Sequence, residues 1–586
     1  MTNLWINPAF LFILGSFLIP ILKGRVKHTF LLLVPAVAFL DVVLMSQGTY
    51  GAVQFLGMDL IFGKVDRLSL VFAHVFTLMA FIGVLYSLHV KDDGQHVAAY
   101  LYMGSSLGAI FAGDYVTLFL FWEIMAFSSV FLIWYRRTQK AVNAGFRYLL
   151  VHIVGGLFLF AGILLRHGEV GSFAFGAISP EGVTLATYLI MIGFCLNAAV
   201  PPIHAWLPDA YPEATVTGTI FLSVFTTKVA LYALIRAFAG FEILAIIGPI
   251  MAVYGVCYAV IENDARRILA YHMVSQLGYM VCGVGMGTEM AINGAIAHAY
   301  AYIIYKGLLF MGTGAVLEMT GKSKLNELGG LYKYMPITLL FTVTGGISIS
   351  GFPLTSGFIG KSMTVEAAES YKIFIFLMLM IASIGTFLSV GLKLPYYIWF
   401  NKDSGIKPKE APLNMKLAMG IAAFICYFLG VYPKFLFDML PYPVHWEPYT
   451  ISHFAEVMQL LLFTGLGFLL LLKKLTPEPT LNLDVDWFYR KGSKVFMWVA
   501  NKPIAIYEEY LGEVYNKWFP NFTLRFSNFL WRIFDVKIID GIVNDIAGFW
   551  KDLGGVARLS QTGLVRNYAF FMLLGGILFI TYYLFK

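Results

Sequence analysis

The chain has 586 residues, of which 59% are hydrophobic and only 13% are charged. Because a soluble protein carries about a quarter of charged residues to cover its surface, the composition excludes an ordinary soluble enzyme and indicates a membrane protein. The net charge of +7 does not indicate nucleic-acid binding, because the basic residues lie in the loops between apolar runs.

The apolar runs predict an all-α polytopic membrane protein with about 16 transmembrane helices. The first run has neither the basic flank nor the cleavage site of a signal peptide, so we interpret it as a span. The predicted spans are 4–22, 28–46, 67–88, 95–113, 114–135, 143–165, 183–208, 216–239, 242–260, 268–287, 291–318, 336–364, 373–400, 413–433, 452–473 and 565–585.

Basic residues are concentrated in every second loop, as at Arg136–Arg137 and Arg266–Arg267, whereas the alternate loops have few. The positive-inside rule then predicts that both termini lie outside and that residues 474–564 lie in the cytoplasm. We expect a multi-pass protein of a prokaryotic cell (inner) membrane.

Two spans contain helix-breaking residues. Pro201 and Pro202 interrupt the seventh span, and Gly351 and Pro353 interrupt the twelfth. Breaks at corresponding places in two halves are typical of transporters with inverted repeats, whose ion path runs through the breaks.

The breaks therefore predict two inverted repeats of five helices each, flanked by other helices. The predicted parts are the N-terminal helices 1–94, the first repeat 95–239, the second repeat 242–400, the C-terminal helices 401–473, the segment 474–564 and the final anchor 565–586.

The segment 474–564 is too polar to span a membrane. Its aromatic residues recur near helical spacing with charged residues between them, which favours a lateral amphipathic helix on the membrane surface. We expect Pro503 and Pro520 to kink or break it. The alternative is a small soluble cytoplasmic domain.

Charged residues within spans are costly, by at least ~2.5–3.5 kcal/mol on insertion scales, and usually mark function. Five such residues stand out: Glu123, Lys228, Lys306, Lys361 and Lys393. Lys361 and Lys393 lie close enough to span ends for the alternative that they reach the headgroups.

His298 shares a helical face with Lys306, which favours a proton relay over a buried structural histidine. No second histidine or carboxylate stands at ligand spacing, so we predict no metal site. We expect four scattered cysteines to be buried structural residues: Cys195, Cys257, Cys282 and Cys426.

At these positions the chain resembles the antiporter-like subunits shared by respiratory complex I, Mrp-type Na+/H+ antiporters and membrane-bound energy-converting hydrogenases. The strings that carry the resemblance are FWEIM, PPIHAWLPDAYPEA, HAYAYIIYKGLLFMGTGAV and GFPLTSGFIGK. The core is more similar to the D-type Mrp subunit, and the tail is similar to the L-type subunit of complex I.

The resemblance implies roles for the motif residues. Glu123 would be the family's essential carboxylate, His298 and Lys306 would form the central relay, and Lys361 would be the exit-side lysine. It also suggests secondary pathway candidates: Asn197, His204, Asp209, Tyr302 and Lys393.

The sequence departs from the family pattern at two positions. Asn197 stands where the family has a lysine, and Tyr302 where a second histidine is often found. We hypothesise that Lys228, on the following helix, takes over the missing lysine's part. The alternative is a degenerate first repeat.

The resemblance implies a subunit that translocates H+, or exchanges it for Na+, within a redox-driven complex related to complex I or to the hydrogenases. Its partners would be other membrane subunits, contacted partly through the lateral helix, and the lipid bilayer. We predict no cofactor, because the sequence has no Cys cluster, dinucleotide fingerprint or haem motif. The alternatives are a D-type subunit of a redox-independent Mrp antiporter and a structural scaffold.

Overall fold

The computed structural model describes residues 5–478, 483–559 and 561–586. It divides the chain into two units, Met1–Asp486 and Trp487–Lys586. The start of the first predicted span and a few residues of the predicted cytoplasmic segment (479–482 and 560) lie outside the described residues.

The N-terminal part has two helices, α1 (Pro8–Leu18) and α2 (Gly24–Leu44), followed by a β-hairpin. Strand β1 (Gly48–Phe55) pairs antiparallel with β2 (Met58–Val65). Leu56 and Gly57 between them have φ angles of 49° and 77°, and a two-residue type I′ turn requires such positive values. The sequence predicted only helices, so this hairpin was not expected.

The first predicted repeat contains helices that follow the predicted spans. After α3 (Arg67–Ser87) come α4 (Asp93–Phe111), α5 (Tyr115–Trp134), α6 (Gln139–Val170), α7 (Leu185–Asn197), α8 (Trp206–Ala210), α9 (Val216–Val224) and α10 (Thr226–Phe238). Asp114 fixes the start of α5, because its carboxylate accepts hydrogen bonds from the Thr117 backbone N–H at 2.8 Å and from the Ile61 N–H of the hairpin at 2.7 Å.

The second predicted repeat contains α11 (Glu242–Ile261), α12 (Ala265–Met286), α13 (Glu289–Thr320), α14 (Pro336–Ser350), α15 (Ser356–Tyr371) and α16 (Ile373–Thr386). Helix α16 continues through two π-helical stretches, Phe387–Lys393 and Tyr396–Phe400. The unit then has α17 (Leu413–Val431), α18 (Lys434–Phe437) and α19 (Ile451–Leu471).

Helix α13 lies in the core of this unit and is buried continuously from Ala291 to Val316. Close helix packing depends on small residues, as is usual in membranes. A Cβ at Gly248 of α11 would overlap the backbone nitrogen of Cys282 in α12. A Cβ at Gly360 of α15 would lie 2.5 Å from the backbone nitrogen of His298. The glycines therefore set how closely the pathway helices approach.

Eleven helices of the described chain are long and apolar enough to cross a membrane. Three shorter apolar helices, α1, α7 and α14, coincide with predicted spans that are short or broken. The chain is thus a multi-pass membrane protein with a mostly helical fold, and the number of about 16 spans stays a prediction.

The two predicted breaks are present. Helix α7 ends at Asn197, before the Pro201–Pro202 pair. Helix α14 ends at Ser350, where Gly351 takes a positive φ of 77°, and α15 begins at Ser356, after Pro353. A further break, without a proline or glycine to signal it, separates α9 from α10 at Phe225.

The second unit is a long helical run followed by a separate helix. Helices α20 (Asp486–Val499), α21 (Ala505–Glu513), α22 (Phe519–Leu530) and α23 (Asp540–Leu559) are joined by π-helical stretches, and α24 is Val565–Leu584. The run passes both prolines, because Pro503 lies in the wider π-helical stretch Ala500–Ile504 and Pro520 lies in the first turn of α22. The expected breaks at these two residues are therefore absent.

Candidate ion pathway

Glu123 lies on α5 and is half-buried. It faces α6 at Gly156, where a Cβ would overlap the Glu123 Oε1 atom. Within the described chain this oxygen has no hydrogen-bond partner. Gly156 thus makes room for the Glu123 carboxylate, whose position within a span marks it as a candidate functional group.

The broken helix α7 presents a second buried polar group. Asn197 is fully buried, and neither atom of its amide has a hydrogen-bond partner among the described residues. A buried amide without partners costs ~1–3 kcal/mol, so this position is polar for a reason other than the stability of the fold. Asn197 still cannot carry a proton as a lysine would.

Lys228 lies three residues after the unpredicted break at Phe225 and is fully buried. Its Nζ donates hydrogen bonds to the Ser223 carbonyl at 2.6 Å and to the Thr227 hydroxyl at 2.9 Å. It also lies 4.2 Å from the centre of the Tyr302 ring. Lys228 therefore links α10, at the end of the first predicted repeat, to α13 in the second predicted repeat.

The centre of the second repeat is the buried face of α13. The Nε2 atom of His298 lies 3.1 Å from both the Gln276 amide oxygen and the Tyr305 hydroxyl. Lys306 is fully buried, and its Nζ has no hydrogen-bond partner in the described chain. This amine lies 5.6 Å from the centre of the Phe310 ring.

Lys361 lies on α15, directly after the glycine that contacts the backbone of His298. It is 5% exposed, and its Nζ lies 5.1 Å from the centre of the Tyr279 ring. Lys361 also lines a pocket together with Ser350, Gly351, Glu366, Glu369, Ser383, His453 and Glu456. The lysine thus stands between the buried relay and an acidic opening.

Two secondary candidates have structural partners. The Nζ of Lys393 donates to the backbone carbonyls of Val260 and Glu262 at 2.6 and 2.8 Å, which satisfies the end of α11. Arg147 of α6 binds Asp209 of α8 with two hydrogen bonds, at 2.7 and 2.9 Å. Both residues therefore hold helices in place.

His204 has a partner that the sequence did not reveal. Its Nε2 lies 3.4 Å from the carboxylate of Asp484, which follows α19 and is buried. The Tyr271 hydroxyl donates to this carboxylate at 2.7 Å, and the Tyr254 hydroxyl does so too. Burial would raise the pKa of Asp484, but the hydrogen bonds and charge of His204 and the two tyrosines lower it well below its usual range.

Helix α12 supplies further polar residues that the sequence analysis missed. His272 is 2.6 Å from the Ser389 hydroxyl, and Gln276 contacts both His298 and the Thr386 hydroxyl. The spacing of His272 and Gln276 by four residues in an apolar helix is the signal that could have found them.

Residues 112–389 match the family model described as NADH:quinone oxidoreductase/Mrp antiporter, transmembrane. This matched part is just under half of the chain. It contains all five predicted pathway residues: Glu123, Lys228, His298, Lys306 and Lys361. The resemblance to antiporter-like subunits is therefore confirmed.

Two curated relatives of this chain are named as A-type subunits of Na(+)/H(+) antiporters. The one from Alkalihalophilus pseudofirmus (strain ATCC BAA-2126 / JCM 17055 / OF4) is 26% identical over an alignment 651 positions long, which covers 99% of this chain and 75% of the relative. The A1-type one from Staphylococcus haemolyticus (strain JCSC1435) is 29% identical, over 65% of this chain and 53% of the relative. These relatives are named as A-type subunits, whereas the resemblance of the motifs predicted a core more similar to the D type.

Solved structures share the fold. A chain in the structure of the Mrp complex from Dietzia sp. DQ12-45-1b has a TM-score of 0.69 at 22% identity, and the match covers 79% of this chain and 100% of that one. A chain of respiratory complex I from Thermus thermophilus has a TM-score of 0.63 at 23% identity, covering 73% and 97%. The antiporter-family fold thus extends well beyond residues 112–389.

Proposed function

We propose that this chain is a proton-translocating, antiporter-like subunit of a multi-subunit membrane complex. The observation that carries the proposal is a set of three buried amines, Lys228, Lys306 and Lys361, none of which forms an ion pair with a carboxylate among the described residues. A fold gains no stability from a buried amine that lacks a counter-ion, but such an amine can readily exchange its proton.

Aromatic and amide side chains link the amines into a row. The ring of Tyr302 touches Lys228 and lies 6.3 Å, centre to centre, from the ring of His298. His298 contacts α15 at Gly360, next to Lys361. These contacts support a proton path from the first repeat through α13 to Lys361, with hydration water between the side chains.

The pocket beside Lys361 supports its assignment as the exit-side base. Three carboxylates, Glu366, Glu369 and Glu456, line this pocket with His453. These side chains could accept a proton that Lys361 releases.

The two-repeat organisation is also part of the proposal. The fourth predicted span of each repeat is interrupted, between α7 and α8 and between α14 and α15. The fifth is irregular in both, with a break at Phe225 and π-helical stretches after Thr386. These corresponding irregularities support an inverted-repeat transporter with its path at the breaks.

Variants of the second-repeat lysines test the function. We expect Lys306→Met and Lys361→Met to reduce the initial rate of acidification of vesicles that contain the assembled complex by about tenfold or more. Lys372→Met is the matched control, because the Lys372 side chain is 50% exposed and pairs with Glu242. Full translocation by both pathway variants in an assembled complex would refute the relay.

Two candidate functions differ in the driving force for ion translocation. The resemblance of the tail to complex I favours a redox-driven complex, in which partner subunits carry out the electron transfer. The A-type relative named for Na(+)/H(+) antiport, which aligns with 99% of this chain, favours redox-independent exchange of H+ for Na+. Translocation that stops when the electron donor is withheld supports the first, and translocation started by a Na+ pulse alone supports the second.

The long helical run is proposed as a lateral arm that binds neighbouring subunits from the cytoplasmic side. Helices α20 to α23 bury none of their residues, and aromatic side chains such as Trp518 and Trp531 are more than half exposed. Such a surface needs lipid or protein to cover it. A chain truncated after residue 473 should fail to assemble fully, and full assembly would refute the arm.

A further inference from the structure

The loss of the family lysine at Asn197 leaves open how the first repeat conducts. Helices α5–α6 and α12–α13 repeat each other with an offset of 150 residues, since α6 starts at Gln139 and α13 at Glu289, and both are 32 residues long. The residues that cap α5 and α12 form equivalent isolated β-bridges after the next helix: Asp114 with Ala174, and Asp264 with Lys324.

The same offset relates the relay face of α13 to a face of α6. His298 and Tyr302 of α13 correspond to Tyr148 and His152 of α6, so each helix has one histidine and one tyrosine in these two positions, in reverse order. Lys306 corresponds to Gly156, the residue that Glu123 faces. In the first repeat, the Glu123 carboxylate therefore occupies the space that a lysine side chain fills in the second.

His152 has the geometry of a proton acceptor. It is 1% exposed, and its Nδ1 lies 2.8 Å from the Tyr148 carbonyl oxygen. Because a carbonyl only accepts hydrogen bonds, Nδ1 carries the proton in the neutral ring and Nε2 holds the free lone pair. Within the described chain Nε2 has no partner. The ring is fixed between Tyr148 and Trp206, with centres at 4.0 and 4.5 Å.

His152 also lies between the two charged groups of the first repeat. It is one turn before Gly156 on the same face of α6, and so one turn from Glu123. On the other side, the Tyr148 hydroxyl is 2.8 Å from Ser129 and approaches Thr226, whose hydroxyl is 2.6 Å from that of Tyr102. The residue after Thr226 binds Lys228.

Few other charged groups near α6 could carry a proton between Glu123 and Lys228. Helix α5 contributes Glu123 to the face of α6, and α8 contributes Asp209, whose carboxylate already binds Arg147 of α6. The buried residues of α7, a helix that is described in full, include no charged side chain.

We propose that His152 is the proton carrier that joins Glu123 to Lys228 in the first repeat, in place of the lysine absent at position 197. In the transfer step the carboxylic acid of Glu123 loses its proton and Nε2 of His152 gains it. The neutral pair becomes a carboxylate and an imidazolium, and the imidazolium then passes a proton towards Lys228. This inference rests on the proposed ion-translocating function.

The test uses the full chain in its assembled complex, reconstituted in vesicles with a pH-sensitive dye. His152→Asn and His152→Gln keep a side-chain amide in place of one ring nitrogen each, and neither can titrate. We expect both to lower the initial rate by about tenfold or more. They should also change the pH profile of the rate, because neither replacement side chain titrates. His96→Gln is the matched control, because His96 is also buried but bonds the Val90 carbonyl at 3.0 Å.

A second-site change sharpens the test. Asn197→Lys in the His152→Asn background should restore translocation, since it returns a titratable group to the α7 break. Wild-type rates and pH profiles in both His152 variants would overturn the proposal, and so would failure of both to assemble, which would give His152 a structural role.

Lys306→Met is measured in parallel, to separate failure of this inference from failure of the translocation function. If Lys306→Met is inactive while the His152 variants are fully active, only this inference fails, whereas full activity of Lys306→Met refutes the translocation function itself.

Discussion

The buried carboxylate of Asp484 joins the stretch after α19 to other helices of the first unit. Substitution of this residue measures how much these contacts contribute to the free energy of unfolding. Asp484→Ala would leave the hydroxyls of Tyr254 and Tyr271 buried without their acceptor and would remove the carboxylate that lies 3.4 Å from the His204 ring. Each orphaned hydroxyl costs ~1–3 kcal/mol. We expect the free energy of unfolding to fall by ~2–6 kcal/mol, the sum for the two hydroxyls. Asp484→Asn, which keeps one acceptor oxygen, should cost roughly half of that.

The pH dependence of this contribution has a definite sign. The pKa of Asp484 is lower in the folded protein than in the unfolded chain, so its contribution is present above the unfolded pKa of ~3.9 and is lost as the pH falls through the folded pKa. The difference between wild type and Asp484→Ala should therefore stay constant from pH 7 to about 5 and shrink only in stronger acid.

Denaturant unfolding in mixed micelles, followed by tryptophan fluorescence, measures both effects. Asp545→Ala on α23 is the control, because its side chain is exposed and should change stability by less than ~0.5 kcal/mol. An Asp484→Ala protein as stable as the control at pH 7 would show that this carboxylate does not hold the stretch after α19.

Two further predictions concern helix contacts. Gly360→Ala would place its Cβ 2.5 Å from the backbone nitrogen of His298, so we expect loss of folded protein in size-exclusion chromatography, whereas Gly168→Ala, with nothing within 4 Å, should be neutral or stabilising by up to ~1 kcal/mol. Asp209→Ala removes both hydrogen bonds to the partly exposed Arg147, and the thermal midpoint should fall by an amount equivalent to ~1–3 kcal/mol, with the pH profile of translocation unchanged. Equal yields of the two glycine variants, or an altered pH profile in the aspartate variant, would contradict these assignments.

The sequence predicted what depends on local chemistry. Apolar runs fixed the membrane class, because no polar surface could be built from 13% charged residues. Prolines and glycines located the breaks after Asn197 and Ser350, because they cannot continue a regular helix. The cost of charge in lipid identified Lys228 and Lys306, and both are fully buried.

The break at Phe225 could not be predicted in this way, because no residue there prevents a helix. It exists because tertiary contacts stabilise it: the Lys228 amine bonds the Ser223 carbonyl, and the Tyr102 hydroxyl accepts from the Thr226 N–H. The helical run through Pro503 is the converse case, since the local rule predicted a break and the wider π-helical turn accommodates the proline.

By itself, then, the sequence determined which residues are too polar for lipid and where regular helices must stop, since both follow from the chemistry of single residues and their neighbours. Only the tertiary structure decided which of those residues meet. It showed that Lys393 binds the end of α11 and that Asp209 binds Arg147. It also brought Asp484 to His204, residues 280 positions apart (204 to 484). Partners so distant in sequence leave no periodic pattern, because helix packing rather than chain order brings them together.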